Sequence, residues 1–333
     1  MSPLDNIFAK AFKSPEELEK MMVDSNPVVG NFILKGQMSF IYGPPNVGKT
    51  IIMMALLKDT TEDVIYLNAD DGIVGGTEKV KLAQSNNYMM VLCGTDDNND
   101  PRTIVKTIEQ QLSKDNEFYK DKIVIFDTVK KFVDPLDKKA SAYFLQIMRK
   151  ITLSGGSIIL LGHTNKHRTN DDKLIFEGVG DWMSDMDCVY SLDFELNEAT
   201  NEKILTFENQ KSRGVVPQST SYKYYSGKEL RSYQDRVDSV EKISDREAEV
   251  IQQQSHIRYL ESKHEDALLF IVAILKKHSI LSQSQIRQMA KDDEDCSCTD
   301  NEMRKCLEAF DGVKWSSKSN PSKNNAKEYQ LKT

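Results

Sequence analysis

The chain has 333 residues, of which 39% are hydrophobic and 29% charged, with a formal net charge of −7. That length accommodates about two domains, each large enough for its own core, and the composition is that of an ordinary soluble protein. No apolar run approaches the ~18 residues that span a bilayer, and the acidic balance excludes a globally basic nucleic-acid surface, so any such surface must be local.

In chain order, Ser14-Pro15-Glu16-Glu17 is a helix start, because Ser caps and Pro suits the first turn. From Met38 a pattern of strand, loop and helix repeats. Met38-Ser39-Phe40-Ile41-Tyr42 is an apolar strand, then come a glycine-rich loop over 43–50 and an apolar helix over 51–57. Strands follow at 64–67, 88–92, 122–127 and 157–163, with helices over 103–112 and 143–153. Continuously apolar strands separated by helices predict an α/β fold with a mostly parallel sheet covered on both faces. After the apolar stretch 188–192 the character shifts, and the alternation over 203–208 predicts an antiparallel edge extension. The polar segment 230–262 reads as a helical connector. Beyond it lie helices over 267–277, 282–290 and up to Phe310. Two strands at 312–315 and 327–331 flank the Ser/Asn-rich 316–325. Three helices and a hairpin predict a winged helix-turn-helix. The expected organisation is therefore a core over 1–229, a connector over 230–262 and a small domain over 263–333.

The five cysteines, Cys93, Cys188, Cys296, Cys298 and Cys306, are odd in number and unevenly spread. Free thiols in a reducing cytoplasm are the simplest expectation, and Cys296, Cys298 and Cys306 fit no zinc spacing well. The opening residues carry no signal-peptide core.

Gly43-Pro44-Pro45-Asn46-Val47-Gly48-Lys49-Thr50 is a complete G-x-x-x-x-G-K-[ST] phosphate loop, with a strand before it and a helix after it. Its backbone N–H groups and the helix N-terminus form an anion site. Lys49 is positioned to neutralise the β- and γ-phosphates of a nucleoside triphosphate, and the Thr50 hydroxyl to ligate Mg²⁺. The strand Ile123-Val124-Ile125-Phe126 ends in Asp127, the expected second Mg²⁺-organising acid. Hydrolysis also needs a group to orient and deprotonate water. Asp70 and Asp71 end the strand after the phosphate-loop helix and suit that task; the alternative is a solvated turn before Gly72. His163-Thr164-Asn165 ends a further strand, where polar groups either sense the γ-phosphate or cap a loop.

Phosphate loop, acid at the next strand end, Asp127 and His163 in this order resemble the RecA-like ATPases, and most closely the RepA-like and DnaB-like hexameric helicases. Leu67-Asn68-Ala69-Asp70-Asp71 is similar to the L-x-A-E-D segment that carries the catalytic glutamate in those families. The resemblance implies that Asp70 is the general base, with a side chain one methylene shorter. Leu161-Gly162-His163-Thr164-Asn165-Lys166 is similar to the histidine motif. Asn209-Gln210-Lys211-Ser212-Arg213-Gly214 resembles the K-x-R-x-G-like segment that lies across a subunit interface. It implies that Lys211 and Arg213 reach a neighbour's nucleotide, with Arg213 as the arginine finger; the alternative is a basic turn closed by Gly214. The resemblance covers about residues 30–220. It implies ATP and Mg²⁺ as cofactors, a homo-oligomer of hexameric type, single-stranded DNA as partner, and replication or recombination proteins nearby. The rival expectation is an ATP-controlled DNA-binding switch or recombination mediator that does not unwind.

Two loops are candidates for the DNA channel. Lys130, Lys131, Lys138 and Lys139 flank the first. Lys166, His167, Arg168 and Lys173 populate the second, beside Asp171, Asp172 and Glu177, and a solvated loop is the alternative for each. Residues 312–333 contain five Lys against the single Glu328, a local balance of +4. That predicts phosphate contact by the small domain, with protein docking as the alternative.

Overall fold

The computed structural model describes residues 14–16, 26–168, 174–176, 181–197, 200–227, 229, 232–323 and 325–332. The side chains of Asn165, Lys166, His167 and Arg168, and residues 169–173 and 177–180, lie outside the described residues, and with them most of the second candidate loop. So does most of the predicted N-terminal helix. The chain divides into two compact units, Met1–Ala248 and Glu249–Thr333.

The first unit begins with an antiparallel pair, β1 (Pro27–Val29) and β2 (Ile33–Leu34). A ten-stranded sheet follows. Its elements in chain order are β3 (Met38–Gly43), α1 (Lys49–Leu56), β4 (Asp63–Asn68), α2 (Ile73–Ser85) and β5 (Met89–Leu92). Next come α3 (Pro101–Lys114), β6 (Lys122–Asp127), α4 (Lys138–Leu153), β7 (Ser157–Arg168), β8 (Leu174–Phe176) and the short α5 (Asp181–Asp185). The last are β9 (Cys188–Asn197), β10 (Glu202–Lys211), β11 (Ser219–Tyr225), α6 (Tyr233–Asp238) and β12 (Glu241–Ile243). The strand order is β12-β11-β10-β9-β3-β7-β6-β4-β5, with β8 paired to β7. From β9 to β5 neighbouring strands are parallel; β10, β11 and β12 extend the β9 edge antiparallel.

Both faces of the parallel part are apolar, which is why its strands show continuous hydrophobic runs. Successive side chains alternate between faces. Ile123 and Ile125 of β6 join Ile52, Met53 and Leu82 from α1 and α2 in one core. Val124 and Phe126 join Ile108, Phe144 and Met148 from α3 and α4 in the other. Helix α3 starts where its sequence dictates: the Asp100 carboxylate accepts from the Arg102 and Thr103 amides, and Pro101 occupies the first turn. Helix α2 has no comparable signal, since Gly75 and Gly76 oppose helix formation; packing of Leu82 and Ala83 into the core holds it.

Part of the segment expected as a connector belongs to this unit. Tyr233 packs against the core, Val237 is buried, and β12 pairs with β11. A few apolar residues in a polar stretch suffice to dock it.

The second unit is built from α7 (Asp245–Lys263, which begins in the first unit), α8 (Glu265–Lys277), α9 (Gln283–Asp292) and α10 (Asp300–Ala309). With them is a three-stranded antiparallel sheet in the order β13 (Leu281–Ser282), β15 (Ala326–Leu331), β14 (Trp315–Asn320). Capping boxes at Ser282 and Thr299 start α9 and α10. Its core gathers Ile271, Ile286, Met303, Phe310, Trp315 and Tyr329, and the Trp315 indole donates to Leu307 O at 3.0 Å. Residues 316–320, expected within a loop, are strand, because pairing with β15 outweighs their weak strand propensity. No described helix is long and apolar enough to cross a membrane.

Candidate active site

Four strand ends that the sequence marks as chemically loaded are neighbours in the sheet. In order they are β4 with Asp70 beyond its end, β6 ending in Asp127, β7 carrying His163, and β3 ending in Gly43. The register aligns Asn68 with Asp127, Asp127 with Leu161, and His163 with Gly43. With strands ~4.8 Å apart, the four ends span only about 14 Å.

The phosphate loop leaves β3 at Gly43. A Cβ there would lie 2.4 Å from the carbonyl oxygen of Leu192, so only glycine lets β3 run this close to β9. Gly48 precedes α1 with φ of +116° and no side-chain cap. The first amides of α1 are therefore left for an anion. Lys49 is buried, and its ammonium donates to Gly43 O at 3.1 Å and Pro44 O at 3.0 Å. It also reaches His163 Nδ1 at 3.3 Å. An ammonium only donates, so Nδ1 is the acceptor and the His163 proton sits on Nε2. Burial pushes His163 down to about 4, helped by the charge of Lys49, so the ring is neutral at physiological pH.

Asp127 is buried, and one of its oxygens, Oδ2, accepts from Thr50 Oγ1 at 2.6 Å and from the Tyr66 hydroxyl at 2.7 Å. Burial raises the Asp127 pKa, and these two hydroxyls oppose the rise. Oδ1 takes no hydrogen bond from a described residue. A hydroxyl and a carboxylate in contact beside a phosphate loop are the hard oxygen donors that suit Mg²⁺, which keeps waters and phosphate oxygens as its other ligands. Among the described residues no group of three His, Cys, Asp or Glu could hold a metal by itself.

Asp70 and Asp71 differ sharply. The Asp71 carboxylate accepts from Asn68 Nδ2 at 2.6 Å and pairs with Lys79 at 2.5 Å. Asp70 is exposed and lines the cleft, and its carboxylate binds no described residue. Asn68 Oδ1 accepts from the amides of both, at 3.1 and 3.2 Å, and fixes the turn that presents Asp70.

These groups line one cleft of about 500 Å³. Asn46, Gly48, Lys49, Thr50, Asp70, Asp127 and His163 are among its walls; Val47 is buried in the core instead, and Gly43, Pro44 and Pro45 shape the loop from outside that lining. The cleft also recruits residues that sequence reasoning missed. Lys203 on β10 donates to Asn46 O at 2.5 Å and lies 3.9 Å from the centre of the Phe194 ring. Tyr233 and Arg236 come from α6. The alternating pattern of β10 signalled a strand without showing that its inward lysine reaches the loop, and α6 lies in the polar segment expected only as a helical connector.

Lys211 and Arg213 are elsewhere. Lys211 Nζ donates to Met183 O at 3.0 Å and Ser184 O at 2.7 Å. Arg213 donates to Asp187 Oδ1 at 2.8 Å, while Asp187 Oδ2 accepts from Arg149 at 2.6 Å and from the Met38 amide at 2.9 Å. Neither lines the cleft of its own chain.

Residues 39–179 match the family described as "ATPase family associated with various cellular activities (AAA)". They carry a P-loop NTPase domain. The matched stretch runs from β3 past β8 and contains Lys49, Thr50, Asp70, Asp127 and His163. Among solved structures, the chain is similar to one titled "Crystal structure of the RadB recombinase", with 15% identity and a TM-score of 0.44, covering 65% of this chain and 94% of that one. No residue role follows from a likeness at that level. No protein of curated function matches the sequence.

The burial of Lys49 has a consequence for pH. It pushes the Lys49 pKa down to about 8, against the pull of Asp127 and Asp70. Phosphates in the cleft favour the ammonium and raise that value. Affinity for a nucleotide is therefore full below pH 8 and falls as pH rises above it, by up to about tenfold per unit, because Lys49 must first regain its proton. Titration with a fluorescent ATP analogue at pH 7 and pH 9.5 checks this; equal affinities contradict it.

Proposed function

We propose that this protein is an ATP-hydrolysing, ring-forming motor of RecA-like build that acts on single-stranded DNA, resembling the RepA-like and DnaB-like helicases. The observation that supports it most is the meeting of Lys49, Thr50, Asp70, Asp127 and His163 in one cleft, the same positions the resemblance ties to ATP hydrolysis. Lys49 and the α1 amides hold the phosphate chain, and Thr50 and Asp127 hold Mg²⁺. A bound Mg²⁺ supplies charge neutralisation at the phosphate oxygens. Asp70, with its carboxylate uncommitted, orients the attacking water and accepts its proton. His163 keeps Nε2–H as a donor toward the terminal phosphate and Nδ1 against Lys49. Arg213 serves a neighbouring subunit in a hexameric ring.

Nucleic-acid contact finds its best support at the first loop. Lys130, Lys131, Lys138 and Lys139 are exposed, and none pairs with a carboxylate among the described residues. The small unit, which we read as a winged helix, contributes less charge than its sequence implies. Lys314 pairs with Glu261 at 2.6 Å and Lys327 with Asp311 at 3.9 Å, and Lys332 donates to Gly312 O. Removing residues 249–333 is therefore expected to leave nucleotide binding intact, since each unit has its own core. The salt dependence of DNA binding should become shallower by only about one to two units of log K per log salt. An unchanged slope reassigns the winged helix to protein docking.

Two observations favour the rival reading, an ATP-controlled DNA-binding switch or recombination mediator: the short Asp70, and the engagement of Arg213 with Asp187. Strand displacement on a forked substrate separates the two. ATP-dependent unwinding supports the motor; DNA-stimulated ATP turnover without displacement supports the switch.

A further inference from the structure

Helix α6 forms one wall of the cleft and is firmly held. Ser232 and Asp235 close a capping box, Val237 is buried in the core, and Lys58 pairs with Asp238. From this fixed helix Arg236 lines the cleft, yet its guanidinium makes no hydrogen bond or ion pair with any described residue. The other cations there are committed: Lys79 to Asp71, Lys203 to Asn46 O, and Lys49 to the loop carbonyls. Lys49, Lys79, Lys203 and Arg236 face Asp70, Asp71 and Asp127, so the walls carry one more cation than carboxylate. An unpartnered, half-buried guanidinium in such a cleft suits a phosphate, whose oxygens match its planar fork.

Its neighbours say which phosphate. The charge of Arg236 acts on Tyr224, opposing the rise that burial imposes on that hydroxyl. The Tyr224 hydroxyl lies 3.0 Å from where a Cβ on Gly48 would sit. Helix α6 itself packs against α1. Arg236 therefore stands near Gly48 and the start of α1, where loop amides take the phosphates nearer the nucleoside, while the loop lysine serves the outer ones.

We propose that Arg236 is a nucleotide-binding residue acting within its own chain, engaging the phosphate chain at the α-phosphate. The proposal rests on the cleft being an ATP site.

The test is calorimetric titration of the full-length protein, Arg236→Gln and Arg236→Lys with ATP, ADP and AMP, and with adenosine by competition. For Arg236→Gln, affinities for ATP, ADP and AMP should fall by a common factor of about ten or more, as for loss of a charge-assisted hydrogen bond. Adenosine affinity should not change. Arg236→Lys should recover part of the loss, and the ligand-free melting temperature of Arg236→Gln should match wild type, because no contact is broken. Unchanged nucleotide affinities overturn the proposal, as does a loss confined to ATP or one shared by adenosine. Normal wild-type binding with an unaffected Arg236→Gln overturns this assignment alone; a wild-type protein that binds no nucleotide overturns the cleft reading and this proposal together.

Discussion

Lys49→Ala is expected to lower ATP turnover by at least about 10³-fold. Lys49 is buried, stands at the head of α1, and is held toward the cleft by the carbonyls of Gly43 and Pro44. From there its ammonium is positioned to meet the outer phosphates of a nucleotide bound over the α1 amides. Charge that develops on those oxygens during hydrolysis would meet a donor already in place. Alanine removes the charge and also leaves His163 Nδ1 without its donor. Steady-state phosphate release by the purified variant measures the effect. Turnover within a few-fold of wild type would show that the loop does not serve hydrolysis.

Asp70→Asn is expected to lower turnover by about 10²–10⁴-fold while ATP affinity stays within a few-fold of wild type. The substitution preserves shape and removes only the proton acceptor. Asp71→Asn is the informative control, because the Asp71 carboxylate is occupied by Asn68 and Lys79. Its expected cost is a modest loss of stability with turnover reduced less than about tenfold. If Asp71→Asn is the inactive variant and Asp70→Asn turns over normally, the water-orienting acid is Asp71 and the register at this strand end is off by one.

The parallel sheet was legible in sequence because its strands are buried on both faces and read as unbroken apolar runs, each ending at a polar residue. The polar ends were legible for the same reason: Asp127 and His163 stop runs of apolar residues at the same edge of the sheet. What sequence left open was which of two adjacent aspartates keeps an uncommitted carboxylate, since both sit at a turn and both line the cleft. Asn68 binds both amides, and with Lys79 it takes the Asp71 carboxylate, leaving that of Asp70 without a described partner. Tyr66 was hidden inside an apolar strand, and only its hydroxyl, 2.7 Å from Asp127, marks it as part of the site. Lys203 and Arg236 were hidden by distance, because their strand and helix reach the loop only through sheet order and docking. The positive hairpin shows the opposite error. Counting lysines over 312–333 overstated the free charge, since Lys314 pairs with the distant Glu261 and Lys327 with Asp311, just outside that stretch.

The most direct test of the account is phosphate release from ATP by the full-length protein, measured with Mg²⁺ and again with the metal chelated. Multiple turnovers that require Mg²⁺ are expected, because Thr50 and Asp127 would hold the ion beside the phosphate loop. Stoichiometric ATP binding with no Mg²⁺-dependent release of phosphate would contradict it.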